Sequence, residues 1–340
     1  MQRSSILFTR FAVSLLLFSC ARVWAAEKVH HYIFFNMDRE RISEPTFLNT
    51  RAIEGAQLKY TWRQLEQGKD DYEFGDIRHD LALLNSKSKK LFIQVQDVSF
   101  SPAIVSIPRY LLNDPQYSGG ADKQYEIPGD EEQRATPAGW VARRWDPAVR
   151  ERFHKLLAAL GKEFDGKIEG INLPETAVDF GQSGRLFPKG FTPEIYRDAV
   201  ISNMTALKRA FPKSVTIQYA NFMPENQGDT NSTYLRSVYQ KAAELNVGVG
   251  GPDLLPYKPF QMRNSYALIR QYAGRVPTGI AVQDGNYRYE NPKTRKQVTI
   301  PELVAFGTEY LKVNYIFWCT EEPFYSRDLI PFLEKLGPRE

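Results

Sequence analysis

Short apolar or aromatic segments alternate with helical patterns along most of this 340-residue chain, and no other feature constrains its fold as strongly. The apolar segments have the length and composition of buried β-strands. They lie at residues 32–36, 55–61, 91–95, 168–172, 215–220, 247–250, 278–283 and 314–318. Between them, helical periodicity occurs at residues 76–85, 147–164, 193–211, 233–245, 260–272 and 301–311. Proline stands at or near the first position of three of these helices, at Pro147, Pro193 and Pro301, as is common at helix starts.

Eight strands that alternate with helices predict a (β/α)8 TIM barrel, in which parallel strands form a closed inner cylinder. We expect a single barrel domain over residues 26–340, with a long loop after strand three. A doubly wound open sheet is the alternative. No GxGxxG or Walker sequence follows any of the strands, which disfavours the nucleotide-binding form of that alternative.

The first 25 residues have the features of a secretory signal. Arg3 and Arg10 precede a short apolar run, and Val23-Trp24-Ala25 offers small residues for cleavage. The run is about half as long as a membrane span, so no transmembrane segment is expected. Cys20 offers a lipid anchor as the alternative. We therefore expect export to the periplasm or the medium, with Cys319 as the only cysteine of the mature chain.

Composition and motifs argue against nucleic-acid-binding proteins, metalloenzymes and serine hydrolases of the nucleophile-elbow type. The 44 basic and 40 acidic residues are spread along the chain rather than gathered in a basic block, so no nucleic-acid partner is expected. None of the four histidines lies in an HExxH motif, and there is no cysteine cluster, so we expect neither a metal nor a cofactor. A GxSxG nucleophile elbow is also absent from the sequence.

An Asn-x-Pro-Glu sequence follows the fourth strand and places Glu175 just past the strand end. In a parallel barrel the carboxyl ends of the strands form a mouth, where hydrolytic acids and bases are usually mounted. Glutamines also lie near strand ends, at Gln94, Gln96, Gln218 and Gln283, although strands buried on both faces are normally apolar. These amides predict hydrogen bonds to substrate hydroxyl groups at the mouth. The alternative is that they satisfy one another in a polar core layer.

The connection after strand three, from Asp97 to Arg144, is far longer than a normal loop. It contains several aromatic residues, namely Tyr110, Tyr117, Tyr125 and Trp140. Their flat rings favour sugar binding, with Trp140 as a candidate contact; the alternative is that the rings bury the loop on the barrel. Asp97 and Asp253, after strands three and six, are candidates for binding hydroxyl groups, or else turn residues.

Residues 60–74 (YTWRQLEQGKDDYEF), followed by Ile77 and Asp80, resemble the W-x-x-x-E-P-x-x-G-x-Y-x-F stretch of a superfamily of glycoside hydrolases. These retaining enzymes are (β/α)8 barrels with catalytic carboxylates after strands four and seven. The resemblance spans the whole barrel and implies that Trp62 contacts the substrate and that Glu175 is the acid/base. In the family this glutamate usually follows an asparagine directly, whereas Asn172, a further candidate contact, lies three residues before Glu175.

The resemblance places the second catalytic carboxylate in Val282-Gln283-Asp284-Gly285-Asn286, where the family has a sequence like V-T-E-N-G. It implies that Asp284, one methylene shorter than glutamate, is the nucleophile. Glu321 and Glu322 follow strand eight and are rival partners for Glu175, and Trp318 corresponds to the aromatic floor of a sugar subsite. The remaining substrate contacts expected at strands five and seven are Tyr219, Asn221 and Gln283.

The sequence therefore predicts an exported glycoside hydrolase that acts on a poly- or oligosaccharide. Its chemistry would need one protonated and one ionised carboxyl group, with Glu175 and Asp284 as the expected pair. The alternative is a non-catalytic carbohydrate-binding or cell-envelope protein on the same barrel, because barrels host many functions and Asp284 matches the nucleophile sequence only weakly.

Overall fold

The computed structural model describes residues 29–224 and 232–337, and within them the chain forms a closed barrel of eight parallel strands. The strands are β1 (His30–Asn36), β2 (Ile53–Thr61), β3 (Lys90–Gln96), β4 (Gly170–Leu173), β5 (Val215–Tyr219), β6 (Gly248–Pro252), β7 (Thr278–Val282) and β8 (Tyr315–Cys319). Each strand pairs with its neighbours in sequence, and β8 closes the cylinder against β1. The predicted (β/α)8 fold is confirmed. The predicted secretory signal lies outside the described residues.

Helices lie on the outside of the cylinder, between successive strands and, for the last helix, after β8. They are α1 (Pro45–Asn49), α2 (Gly75–Ser86), α3 (Pro147–Phe164), α4 (Pro193–Ala210), α5 (Thr233–Leu245), α6 (Ser265–Tyr272), α7 (Ile300–Ala305) and α8 (Ile330–Leu336). The starts of α3 and α4 are fixed by capping, because the side chains of Asp146 and Thr192 accept hydrogen bonds from backbone N–H groups of the first turn. None of the helices within the described residues combines the length and apolar character that crossing a membrane requires.

The helix predicted at residues 260–272 is interrupted at Asn264, which separates a short helix (Pro259–Arg263) from α6. The Asn264 side chain donates to the Phe260 carbonyl at 3.0 Å and accepts from the Ser232 hydroxyl at 2.7 Å. An asparagine that bonds to nearby backbone competes with the helical hydrogen-bond ladder. The structure therefore breaks the helix where the apolar periodicity alone indicates a continuous one.

The interior of the barrel is filled largely by aromatic side chains, and its strands approach closely at glycines. Tyr32, Phe92 and Phe317 pack together with ring centroids 5.0–6.1 Å apart. On β6 and β7 the backbones are so near that a Cβ on Gly250 would lie 1.8 Å from the carbonyl oxygen of Gly279. Only glycine fits at position 250, which gives this part of the strand sequence its Gly-rich composition.

The connection between β3 and α3 contains its own antiparallel sheet of Val98–Ser99, Thr136–Ala142 and Ala121–Glu126. It is tied to the connection after β4. The Glu132 carboxylate accepts hydrogen bonds from the backbone N–H groups of Gln182 and Ser183, both at 2.7 Å. The N–H of Tyr125 also donates to the carbonyl of Asp179 at 3.0 Å. The two connections thus form one continuous wall on the β3 and β4 side of the barrel.

Candidate active site

A cavity of about 220 Å³ opens at the carboxyl ends of the barrel strands. Side chains from β2 to β7 line it, together with one aromatic residue from the connection after β3. The lining residues are Lys59, Gln94, Gln96, Phe100, Pro174, Glu175, Tyr219, Pro252, Asp253 and Gln283. Because the strands are parallel, every residue that directly follows a strand lies at this end. The cavity is therefore built in the position where (β/α)8 barrels usually carry their reactive groups.

Glu175 lies two residues beyond β4 and is partly buried in the wall of this cavity. Its Oε2 accepts a hydrogen bond from Asn221 Nδ2 at 2.5 Å. Burial raises the pKa of the Glu175 carboxyl to about 7, and the negative charge of Asp253 acts in the same direction. The Asn221 hydrogen bond and the charges of Lys59 and Arg144 oppose this rise in pKa. Glu175 is consequently a carboxyl group that is still substantially protonated at neutral pH.

Arg144 holds the backbone of the Glu175 segment in place. It forms a buried bidentate ion pair with Asp97, with nitrogen to oxygen distances of 2.8 and 2.6 Å. Its Nη1 donates to the hydroxyl of Tyr196 at 2.7 Å and to the carbonyl of Glu175 at 3.2 Å. The Tyr196 hydroxyl in turn donates to the Thr176 carbonyl at 3.0 Å. Asp97, predicted to bind hydroxyl groups, lies in this supporting network and not among the residues that line the cavity.

Asp253 follows β6 directly and lines the cavity across from β2. Its backbone is left-handed, with φ of 67°, a conformation that aspartate adopts more readily than most residues. Asn286 Nδ2 donates to Asp253 Oδ1 at 3.0 Å, while Asn286 Oδ1 accepts from the N–H groups of Leu254 and Gln283, both at 3.0 Å. The asparagine thus joins the ends of β6 and β7 and fixes the carboxylate of Asp253.

The polar residues inside the barrel fall into two layers. In the lower layer Gln57 Nε2 donates to Asn172 Oδ1 and to the Tyr219 hydroxyl, both at 3.0 Å. Asn172, predicted to contact substrate, is fully buried in this layer. In the upper layer the buried side-chain oxygens of Gln94 and Gln96 have no hydrogen-bond donor within the described residues. Gln94 and Gln96 both line the cavity, so a bound ligand is a candidate source of the missing donors.

Gln218 and Gln283 also differ in location, since one lies beneath the cavity and the other in its wall. The Gln218 amide donates to the backbone carbonyls of Pro174 and Tyr219 at 2.7 and 2.9 Å, which makes it part of the support beneath the mouth. Gln283 lines the cavity. Gln218 thus supports the structure through backbone carbonyls rather than through another glutamine, and Gln283 belongs to the cavity wall.

Asp284 and Glu321 lie close together at the ends of β7 and β8 but are not among the residues that line the cavity with Glu175. Asp284 is exposed. Glu321 accepts from the N–H of Gly285 at 2.7 Å and pairs with Arg288 at 2.5 Å. The neighbouring Glu322 is exposed and accepts from the Ser326 hydroxyl at 2.6 Å.

The only group of potential metal ligands among the described residues is Asp284, Cys319 and Glu321, whose ligand atoms lie within 4.8 Å of one another. This group fits a metal poorly. Arg288 and the Gly285 N–H engage the two oxygens of Glu321. Burial also raises the pKa of the Cys319 thiol to about 12, which disfavours the thiolate that binds metals.

The three tryptophans expected to contact sugar lie in other surroundings. Trp62 is buried and donates to Glu66 at 2.7 Å, and Trp318 is buried and donates to His31 at 3.1 Å. Trp140 donates to the Pro102 carbonyl at 2.9 Å. None of the three lines the cavity. The aromatic residue of the long connection that does line the cavity is Phe100, which is 59% exposed.

Sequence reasoning missed Lys59 and Phe100 as cavity residues. Lys59 had a detectable signal, since it is a charged residue between Leu58 and Tyr60 near the carboxyl end of a strand. Phe100 lies in the connection singled out for its aromatics, but its position at the mouth depends on how that connection folds. Of the predicted residues, the cavity brings together Glu175, Asp253, Gln94, Gln96, Tyr219 and Gln283, with Asn221 bonded to Glu175.

A larger cleft of about 510 Å³ lies outside the mouth, between the segment that leads into α7 and the helix α8. Its lining includes Arg327 and Asp328, which form an ion pair with each other at 2.8 Å. Among the residues that the structure describes, Asp328 is the only carboxylate in the lining of this cleft. The paired carboxylates of the smaller cavity therefore make it the better candidate for chemistry.

The fold and the cavity define a (β/α)8 barrel with two carboxyl groups in a polar cavity at its carboxyl-terminal mouth. No protein-family model matches this sequence, and a search of curated protein sequences finds no match either. Among solved structures, the chain is similar to the catalytic domain of a β-amylase from Paenibacillus polymyxa. The TM-score is 0.59 at 8% identity, with 86% of this chain and 92% of that chain covered.

A second similar structure is a GH10 endoxylanase retrieved from a sugarcane soil metagenome. Its TM-score is 0.49 at 12% identity, with 86% of both chains covered. The similarity to the β-amylase domain confirms the predicted resemblance to glycoside hydrolase barrels at the level of the fold.

Proposed function

We propose that this chain is a glycoside hydrolase in which Glu175 is the general acid and Asp253 is the second carboxylate. The observation that carries this proposal is the presence of both side chains in one cavity at the barrel mouth. Glycoside hydrolysis requires one carboxyl group that donates a proton and another that is ionised. The proposal assigns to Asp253 the role that sequence reasoning gave to Asp284, because Asp284 does not line the cavity.

The two carboxyl groups have different environments, as this chemistry requires. The raised pKa of Glu175, about 7, keeps a proton available for the glycosidic oxygen near neutral pH. Asp253 accepts a hydrogen bond from Asn286 and, in this proposal, is the ionised carboxylate that attacks the sugar or activates a water molecule. The unsatisfied oxygens of Gln94 and Gln96 and the exposed ring of Phe100 supply the hydrogen bonds and the apolar face that a sugar needs.

The test is turnover on a panel of poly- and oligosaccharides by wild type, Glu175→Gln and Asp253→Asn. Each substitution keeps the shape of the side chain and removes its proton or charge. We expect each to lower kcat/KM by about 10²–10⁴, while the affinity for an inactive glycan stays within a few-fold of wild type. Asp284→Asn is the matched control, since that residue also follows a strand but lies outside the cavity lining. A large loss in Asp284→Asn with none in Asp253→Asn would reverse the assignment of the second carboxylate.

The second candidate function is carbohydrate binding without catalysis, as expected of a cell-envelope receptor on an enzyme-like barrel. The exposed position of Asp284, where the glycoside hydrolase family that the sequence resembles has its nucleophile, favours it. The same panel separates the two functions, because a receptor binds a glycan and hydrolyses none. We further propose that the protein is exported, on the pattern of residues 1–25. Sequencing the amino terminus of the mature protein, with cleavage near Ala25 expected, tests this proposal.

A further inference from the structure

Lys59 is a cation in the cavity wall that the proposed hydrolysis does not use. It lies on β2, with its ammonium 5.4 Å from the ring centre of Phe34. Among the described residues, Lys59 forms neither a hydrogen bond nor an ion pair, and it is the only positively charged residue that lines the cavity. Arg144, the other cation near Glu175, is already paired with Asp97.

The topology separates the charges of the cavity. Lys59 is on β2 and Asp253 follows β6, and these strands lie on opposite sides of an eight-stranded cylinder. Glu175 follows β4, midway between them. A ligand that spans the mouth therefore meets a positive charge at one end and a carboxylate at the other, with the proposed general acid between the two.

The ammonium of Lys59 lacks a counter-charge when Glu175 carries its proton. Burial lowers the pKa of Lys59 to about 8, and the nearby Glu175 is the charge that opposes this change. Lys59 is therefore mostly protonated at neutral pH. A neutral sugar bound over this ammonium would remove water from it without supplying a negative charge, whereas a ligand carboxylate would compensate for the lost water.

The neighbouring glutamines indicate which groups the ligand carries besides a carboxylate. The Gln94 and Gln96 oxygens are buried acceptors in the same wall, on the adjacent strand β3, and they need donors. Sugar hydroxyl groups are donors of suitable size. A ring that carries both a carboxylate and hydroxyl groups is that of a sugar acid.

On the premise that the cavity is the proposed sugar site, we propose that it accepts an acidic glycan. A uronic-acid residue binds with its carboxylate on Lys59 and its ring hydroxyl groups on Gln94 and Gln96. The substrate class is then a uronate-containing poly- or oligosaccharide rather than a neutral one.

The test measures binding by calorimetry in a Glu175→Gln background, so that turnover does not interfere. Trigalacturonate is compared with the corresponding galactose trimer, because the two probes differ at each ring in the carboxylate. We expect the acidic trimer to bind at least about tenfold more tightly and to weaken as salt concentration rises. Lys59→Met should abolish this preference without changing affinity for the neutral trimer, and Lys59→Arg should preserve it.

The inference is overturned if both trimers bind equally, if neither binds, or if Lys59→Met weakens both to the same extent. Should Lys59→Met fail to fold, the methyl ester of trigalacturonate replaces it, since the ester removes the charge from the ligand instead. Esterification should then abolish the preference, and an unchanged affinity would overturn the inference. These outcomes are independent of the proposed hydrolysis, which fails if wild type binds the acidic trimer but cleaves no glycan in the panel.

Discussion

The raised pKa of Glu175 predicts that the Glu175→Gln variant is more stable than the wild type at neutral and alkaline pH. In the folded protein the carboxyl has a pKa of about 7, against an ordinary value of 4.5. The folded state therefore binds this proton more tightly than the unfolded chain does. It follows that the contribution of Glu175 to stability is complete below pH 4.5 and is lost as the pH rises through 7. Glutamine has no such titration and keeps an oxygen that can accept from Asn221.

The size of the effect follows from the difference between the two pKa values. That difference corresponds to at most about 3 kcal/mol of unfolding free energy, of which about 2 kcal/mol is lost by pH 6. Glu175 faces a water-filled cavity, so screening by solvent makes this figure an upper limit. Compared with wild type, Glu175→Gln should gain stability progressively between pH 4.5 and about pH 7.5 and no further above that.

The measurement is urea unfolding of both proteins at half-unit steps from pH 4 to pH 9. Glu132→Gln is a control of opposite sign, because hydrogen bonds from Ser183 and Gln182 hold the pKa of Glu132 below its ordinary value. Its substitution should destabilise the protein at neutral pH and have less effect in acid. If the unfolding free energies of wild type and Glu175→Gln run parallel across this range, the carboxyl is not perturbed, and its assignment as the general acid loses its support.

Two further predictions concern the scaffold beneath the site. Arg144→Met leaves the buried carboxylate of Asp97 without its partner, and we expect the unfolding free energy to fall by about 3–5 kcal/mol in urea titrations. The double variant Asp97→Leu/Arg144→Met should recover part of this loss, and a single-variant effect below about 1 kcal/mol would contradict the importance of the pair. Gly250→Ala should abolish soluble folded protein, since its Cβ would lie 1.8 Å from the Gly279 carbonyl oxygen. At Gly251 the atom nearest to an added Cβ would be the Asn221 Cβ at 3.4 Å, so the Gly251→Ala variant should melt at a temperature close to that of wild type. Equal behaviour of the two variants would show that strand packing does not require glycine at position 250.

The barrel was predictable because its signals are local. Apolar runs that bury both faces of a strand and helices with an apolar stripe leave their periods in the sequence. The predicted bounds of α3 and α5 coincide with the observed ones, Pro147–Phe164 and Thr233–Leu245. The break at Asn264 was not predictable in this way, because one of its stabilising contacts comes from Ser232, 32 positions earlier.

The site was predictable only in part. Glu175 could be proposed because it follows a strand, but Asp253 and Asp284 also follow strands, and sequence position does not separate them. What separates them is that Asp253 lines the cavity, where a left-handed backbone and a hydrogen bond from Asn286, a residue 33 positions later, hold it. Such long-range arrangements leave no periodic trace in the chain. The choice between the two aspartates therefore requires the folded structure.

The wall formed by the connections after β3 and β4 has a dynamic consequence. The bonds from Gln182 and Ser183 to Glu132, and from Tyr125 to Asp179, cross between the two connections rather than lying within either. Neither connection can swing outward without breaking bonds made by the other. Fluctuations that widen the mouth on this side must therefore occur as one cooperative opening, with the amide hydrogens of Gln182, Ser183 and Tyr125 exchanging with solvent together.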